Sequence, residues 1–277
     1  MDSITRRRFL QTAAAVGAGA MTASATKAAD VPPAATSPPA EVAAPSVSDE
    51  FPTQSPAMVR EMVGVSHGNL ARVNELLAIH ATLANAAWDW GFGDWETALG
   101  AASHVGNVEI AKVLLDHGAR PTIFSAAMLG QLGVVKAFVE ASPGVQGTTG
   151  PHGITLLAHA RAGKEAAKPV LDYLAALGGA DPVPKAVDLT PEILAHYVGV
   201  YTFGARPDDK IEIALDKGKF TFKRGATSPR NLVSLGDHAF HPVGAPAVRV
   251  RFTMSGEAAG ELAVFDPGVV LRARKVG

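Results

Sequence analysis

The 277-residue sequence contains no cysteine and carries little excess charge of either sign. Without cysteine the chain cannot form disulfides, thiolate nucleophiles, iron–sulfur clusters or cysteine-ligated zinc sites. The 25 Lys and Arg residues nearly balance the 26 Asp and Glu residues, for a formal net charge of −1. Because nucleic-acid binding requires a basic surface that displaces counterions, we expect no nucleic-acid partner.

Long hydrophobic runs are also lacking. No apolar stretch reaches the roughly 20 residues that a membrane-spanning helix needs, so we predict no transmembrane span in the mature chain. Hydrophobic residues nevertheless make up 47% of the sequence and charged residues 18%, a balance that supports a packed core and excludes wholesale disorder. At roughly 150 residues per domain, the length predicts about two domains.

The amino-terminal segment has the features of an export signal. The basic run Arg6-Arg7-Arg8 is followed by Phe9-Leu10, a stretch of small residues and an A-x-A cleavage pattern at Ala23-Ser24-Ala25. This order resembles the twin-arginine motif, and the resemblance implies a periplasmic or secreted protein exported in its folded state. We therefore predict a signal peptide over residues 1–25 and a disordered, Pro/Ala-rich linker over residues 26–56.

A helical unit recurs in the middle of the chain. Residues 101–115 align with residues 125–139 after a shift of 24, and looser copies surround Gly68 and Gly163. The successive Gly-to-Gly separations are 38, 24 and 33 residues. Each copy predicts two short helices separated by a glycine break.

These units resemble the ankyrin repeat. The motif T-P-L-H-x-A of that family corresponds here to Thr97-Ala98-Leu99-Gly100-Ala101-Ala102. Residues 113–121 are similar to the usual end of a repeat, an apolar pair followed by a Gly-Ala turn. The proline and histidine of the motif are replaced by Ala98 and Gly100. The resemblance covers residues 57–182 and implies an α-solenoid of about four repeats whose concave face binds a protein partner.

One stretch departs from a repeat consensus. Aromatic residues make up only 6% of the chain, yet all three tryptophans lie within residues 88–96 among acidic side chains. Tryptophan is favoured at binding hot spots, so this stretch predicts a contact surface. The alternative is that the rings cap the core of a thin solenoid. The partner-binding candidates, including a histidine that the repeat alignment places facing the groove, are Trp88, Asp89, Trp90, Asp94, Trp95 and His104.

Catalytic and metal-binding patterns are missing. Residues of suitable ligand type do occur in the helical region: Asp89, Asp94, Glu96, His104, His152 and His159. No spacing joins them into a known motif, and no H-E-x-x-H, G-x-S-x-G, P-loop or dinucleotide fingerprint is present. We therefore predict a non-catalytic protein with no metal site and no cofactor.

The pattern changes after residue 182. Ile211, Ile213 and Leu215 alternate with residues of the opposite face, and residues 216–219 are typical of a hairpin turn. A similar alternation follows at residues 248–254. Several short antiparallel strands predict a small barrel or sandwich over residues 188–277.

This region is similar to the lipocalin-like domain found after serine β-lactamase-type hydrolases. The similarity rests on Leu189, Tyr197-Val198-Gly199-Val200-Tyr201, Val250-Arg251-Phe252 and Leu271-Arg272-Ala273-Arg274. The catalytic core of those hydrolases is absent. The S-x-x-K stretch Ser24-Ala25-Thr26-Lys27 straddles the predicted cleavage site, so it cannot supply a nucleophile pair.

The predicted fold class is thus α + β in separate domains, with the ankyrin-like solenoid followed by the small antiparallel barrel or sandwich. The sequence predicts an exported, non-catalytic protein whose function is to mediate protein–protein interaction in the periplasm. One alternative is a regulator of periplasmic hydrolases. Another is a protein that binds a small apolar ligand inside the barrel, lined by Phe220, Phe222, Phe240 and Phe252.

Overall fold

The computed structural model describes residues 49–182 and 185–276. All of these residues belong to one compact unit. The predicted signal peptide and most of the predicted linker lie outside the described residues, so export by the twin-arginine route stays a prediction. No helix in the described ranges is long and apolar enough to cross a membrane.

The first part of the described chain consists of short helices and one small hairpin. In chain order the elements are α1 (Pro56–Val65), α2 (Leu70–Ile79), β1 (Ala87–Asp89), β2 (Trp95–Thr97), α3 (Ala98–His104), α4 (Val108–Asp116), α5 (Ile123–Met128), α6 (Leu132–Ala141), α7 (Leu156–Ala162) and α8 (Lys168–Leu177). Short 3-10 segments lie at Ala81–Asn85, Val145–Gly147, Pro151–Gly153 and Lys164–Ala167.

Side-chain caps explain where several helices begin. Thr97 accepts a hydrogen bond from the backbone N–H of Gly100 at the start of α3, and Asn107 accepts one from Ile110 at the start of α4. Such caps satisfy amide groups that have no partner within the helix. Between these two helices the chain turns at Gly106, with φ of 75°, where an added Cβ would lie 2.3 Å from the Ala162 carbonyl oxygen. Glycine is therefore required at this turn by both conformation and space.

The predicted solenoid of four ankyrin-like repeats is wrong. Helices precede the barrel, and α1 packs on α3, α3 on α5 and α5 on α7. The connections differ from one helix pair to the next, however: a hairpin lies between α2 and α3, a short loop between α4 and α5, and two 3-10 segments between α6 and α7. A regular solenoid requires units that repeat the same surfaces at a constant spacing, and the unequal glycine separations prevent that.

The second part forms a closed antiparallel barrel, which confirms the barrel alternative for this region. After α9 (Pro191–Ala195), the strands are β3 (Gly199–Thr202), β4 (Lys210–Asp216), β5 (Lys219–Arg224), β6 (Arg230–Gly236), β7 (Ala239–Pro242), β8 (Arg249–Ser255), β9 (Ala258–Asp266) and β10 (Gly268–Val276). They close in the order β10-β3-β4-β5-β6-β7-β8-β9, so each strand pairs with two neighbours. Closure removes the open edges that a sheet of this size would expose.

The predicted hairpin is present between β4 and β5. Lys217 and Gly218 both adopt positive φ, 49° and 77°, at the turn that joins the paired strands. Two consecutive residues of positive φ match the twist of the flanking strands. Ile211 and Ile213 are buried inside the barrel, as the alternation predicted.

Aromatic rings fill the barrel interior. Phe240 is 1% exposed and lies with its ring centroid 5.1 to 5.5 Å from those of Phe220, Tyr197 and Phe252. Phe222 is also buried, and its ring centroid is 5.2 Å from that of Phe92 in the loop of the first hairpin. These phenylalanines therefore form packed core, and binding of an apolar ligand among them stays a prediction.

Candidate metal centre

Four side chains from separate elements converge at one end of the packed helices. His67 follows α1, Glu96 is the middle residue of β2, His104 ends α3, and His152 lies in the 3-10 segment before α7. One nitrogen from each histidine and one carboxylate oxygen all lie within 4.8 Å of one another. Because α1 packs on α3, the ends of these helices bring His67 and His104 together.

The atoms that converge are the three Nε2 atoms and Glu96 Oε1. The Nε2 atom of His104 lies 2.9 Å from this oxygen and 3.1 Å from the Nε2 atom of His67. The Nε2 atoms of His152 and His67 lie 3.4 and 3.6 Å from the same oxygen. In a tetrahedral zinc site with bonds of roughly 2.0–2.1 Å, donor atoms are about 3.3 Å apart, and at right angles about 2.9 Å. These four separations, from 2.9 to 3.6 Å, are close to those of ligands around one cation.

Two of the histidines already have their other nitrogen occupied. The Nδ1 atom of His67 lies 3.0 Å from the Gly64 carbonyl oxygen, and the Nδ1 atom of His152 lies 2.8 Å from Asp94 Oδ2. An Nδ1–H that donates to such an acceptor leaves the Nε2 lone pair free in the neutral ring. Metal-ligating histidines characteristically have their second nitrogen held in this way.

The Nε2 atom of His104 has two partners within hydrogen-bond distance, Glu96 Oε1 and the Nε2 atom of His67. A neutral His104 with its proton on Nε2 can donate that proton to Glu96 or to His67, but not to both. If it donates to Glu96, this nitrogen has no in-plane lone pair with which to accept a proton, so its 3.1 Å contact with His67 is then not a hydrogen bond. A cation between the four donor atoms would satisfy all of them at once.

Glu96 is buried and ionised. Its side chain is 0% exposed, and its second oxygen accepts a hydrogen bond of 2.7 Å from the Trp90 indole nitrogen. Burial raises the pKa of this carboxyl, but hydrogen bonds from His104 and His152 outweigh that effect and lower the pKa to about 2. The carboxylate therefore supplies a negative charge to the centre at neutral pH.

Asp94 forms a second layer behind His152. Its side chain is 3% exposed, and it accepts hydrogen bonds from the backbone N–H and the ring of His152 and from Arg230. Burial opposes its ionisation, yet these bonds lower the pKa of Asp94 to about 2. Hydrogen bonds to Asp94 and Glu96 in turn raise the pKa of His152 to about 9. In the metal-free protein at neutral pH the Nε2 atom of His152 therefore carries a proton, which a metal would displace on binding.

The donor set indicates the kind of metal. Three imidazoles and one carboxylate suit first-row transition metals such as zinc, iron, cobalt, nickel or manganese, whereas calcium and magnesium prefer oxygen ligands throughout. His67 is 33% exposed and His152 28%, so one side of the centre faces solvent. Four protein ligands complete a tetrahedral zinc site, but a five- or six-coordinate metal would keep positions for water or another ligand on that side.

The structure separates the residues predicted to form a partner-binding surface. Trp88 and Trp90 are partly buried against the helical core, whereas Trp95 is 64% exposed. Asp94 is buried, and Asp89 accepts a hydrogen bond from the backbone of Gly91. His104 lies in the metal cluster. The six residues do not share one exposed face, and partner binding through them stays a prediction.

Glu96, His104 and His152 are among the residues of suitable ligand type in the sequence, but no spacing joins them, and His67 was not predicted as a ligand. The sequence does contain a related pattern: Ser66-His67 directly precedes Gly68-Asn69, and Ser103-His104 precedes Gly106-Asn107 with Val105 between them. Both serines are buried, and each hydroxyl donates to the carbonyl four residues earlier in its helix. His159, also named as a ligand type, lies outside the cluster and is buried beside Phe124.

Comparisons with protein-family models, curated proteins and solved structures find no match to this chain. No family match therefore supports the resemblances to ankyrin repeats and to lipocalin-like domains, and functional assignment rests on the geometry of the site.

Proposed function

We propose that this protein binds one divalent first-row transition metal through His67, Glu96, His104 and His152. The convergence of three Nε2 atoms and one buried carboxylate oxygen within 4.8 Å carries the proposal. The occupied Nδ1 atoms of His67 and His152 support it, since they orient the Nε2 atoms towards the cluster. The exposed edges of the same two histidines favour a metal that can exchange or contact a solvent-borne ligand.

Direct metal binding tests the proposal. The full chain, freed of metal with a chelator, is titrated with Zn²⁺, Mn²⁺, Co²⁺ and Ni²⁺, and with Ca²⁺ and Mg²⁺ for comparison, by isothermal calorimetry. We expect one equivalent of a transition metal to bind and neither Ca²⁺ nor Mg²⁺ to compete. At a free metal concentration of 100 times the dissociation constant, binding stabilises the fold by about 2.7 kcal/mol. For a unit of this size that raises the melting temperature by about 5–10 °C.

Matched histidine variants locate the site. His104→Ala removes one of the four side chains of the cluster, whereas His117→Ala removes an exposed histidine whose Nδ1 atom is hydrogen-bonded to the Val113 carbonyl of its own helix. We expect the first variant to lose most of the metal-induced stabilisation and the second to retain it. Equal binding by both variants, or no transition-metal binding by the native chain, would refute the proposal.

A further inference from the structure

We propose that the β-barrel positions the metal ligand His152 through Arg230 and Asp94. This inference rests on the proposed metal site and assigns a role to the barrel, none of whose residues belongs to the cluster. Asp94 and Arg230 are positioning residues here, because they act through His152.

Asp94 joins the two parts of the compact unit. One of its oxygens accepts the backbone N–H of His152 at 2.8 Å, and the other accepts the ring Nδ1–H of His152 at 2.8 Å. The second oxygen also accepts a hydrogen bond from the guanidinium of Arg230, the first residue of β6. A single buried carboxylate thus binds the metal ligand on one side and a barrel strand on the other.

The barrel fixes the place of that carboxylate. Arg230 is itself only 14% exposed, and the same Nη2 atom donates to the Val243 carbonyl oxygen at 2.9 Å. Gly244 follows with φ of 85°, and a Cβ at this position would lie 2.7 Å from Cγ of Asp94. The carboxylate therefore packs directly against barrel backbone, with no room for a larger residue.

His152 needs such support. Its φ is 59°, a left-handed conformation that non-glycine residues seldom adopt and that persists only where the surroundings enforce it. Asp94 holds both the backbone and the ring of this residue. With Nδ1 held, Nε2 is directed to Glu96 at 3.4 Å. Loosening Asp94 should therefore displace one metal ligand and leave the other three in place.

Zinc affinity measured in two backgrounds tests this role. Arg230→Gln is compared with the native chain and with Arg249→Gln, which removes another barrel arginine that donates only to backbone carbonyls. The same Arg230 change is also made in a His152→Ala background. Affinity for Zn²⁺ is measured by competition with a chromophoric chelator, and circular dichroism establishes that each variant is folded.

We expect Arg230→Gln to weaken Zn²⁺ binding by about tenfold, the lower end of the effect of losing a partner that orients a ligand, because Asp94 still contacts His152 in this variant. Arg249→Gln should change it by less than about threefold. In the His152→Ala background the Arg230 change should add no further loss, because the ligand that Arg230 positions is already gone. Arg230→Lys, which keeps the positive charge, should bind Zn²⁺ more tightly than Arg230→Gln but less tightly than the native chain. If the glutamine variant does not fold, the lysine variant replaces it, and its smaller loss should likewise disappear in the His152→Ala background.

The outcomes separate the two proposals. If the native chain binds Zn²⁺ and Arg230→Gln binds it equally well, the barrel does not position His152, although the metal site stands. An equal loss in both backgrounds would likewise overturn the positioning role, because the effect would not pass through His152. If the native chain binds no Zn²⁺ or other transition metal, the metal site itself is refuted and this inference with it.

Discussion

Replacing Glu96 with glutamine should destabilise the metal-free protein by about 3 kcal/mol. The fold lowers the pKa of this carboxyl from 4.5 to about 2, and each pKa unit corresponds to roughly 1.4 kcal/mol. Because the folded pKa is depressed, this contribution is complete above the unfolded pKa of 4.5 and is lost as the pH falls through about 2. At neutral pH the variant should therefore lack all of it.

Thermal unfolding followed by circular dichroism, in the presence of a chelator, measures this effect. A loss of about 3 kcal/mol should lower the melting temperature by about 6–12 °C for a unit of this size. When transition metal is added, the variant should also gain less stability than the native chain, because a neutral amide replaces the anionic ligand. A tenfold loss of affinity alone corresponds to about 1.4 kcal/mol.

Glu75→Gln is the matched control for this prediction. Glu75 carries the same charge but is 61% exposed and pairs with Arg72 at the surface. Exposed ion pairs contribute about 1 kcal/mol or less, so the control should melt within about 3 °C of the native chain. If Glu96→Gln behaves like Glu75→Gln with the chelator present, Glu96 is not a buried carboxylate held by histidines and the electrostatic reasoning fails.

Two further predictions concern the helical part. Gly163→Ala would place a Cβ 1.9 Å from the Met128 carbonyl oxygen and should cost about 1–3 kcal/mol or more, whereas Gly133→Ala, in α6 with nothing within 4 Å, should stabilise by about 0.5–1 kcal/mol. If urea unfolding shows that both substitutions change the free energy of unfolding in the same direction, the packing of α5 on α7 is contradicted. The second prediction concerns His159, whose pKa is lowered below 6.5 by burial. As the pH falls below 6.5, this histidine takes up a proton in the unfolded state before it does so in the folded state. The unsubstituted protein therefore loses stability over this pH range. His159→Gln should lose less stability than the native chain between about pH 6.5 and pH 5 in urea unfolding, and an equal loss would show that His159 is not buried in its neutral form.

Local patterns predicted the barrel well. Alternation at Ile211 and Ile213 depends only on neighbouring residues, since successive side chains of a strand point to opposite faces. The turn at Lys217 and Gly218 could likewise be predicted from the sequence, because few residues tolerate positive φ. The helical part shows the limit of the same approach. Short helices with glycine breaks were predicted correctly, but the resemblance to one motif at residues 97–102 was extended to four regular units that the unequal connections do not form.

The sequence by itself determined that no cysteine chemistry is available, that helices come first and that short antiparallel strands follow in a small barrel or sandwich, whereas the closure of those strands into a barrel was decided by the tertiary structure. The tertiary structure alone brought His67, Glu96, His104 and His152 together, because they belong to four elements and no spacing along the chain encodes their distance apart. The same holds for Asp94, whose partner Arg230 lies in a barrel strand far along the chain. Metal ligands and the groups that orient them are selected by direction and distance in space, and these arise only when helices and barrel pack as one unit.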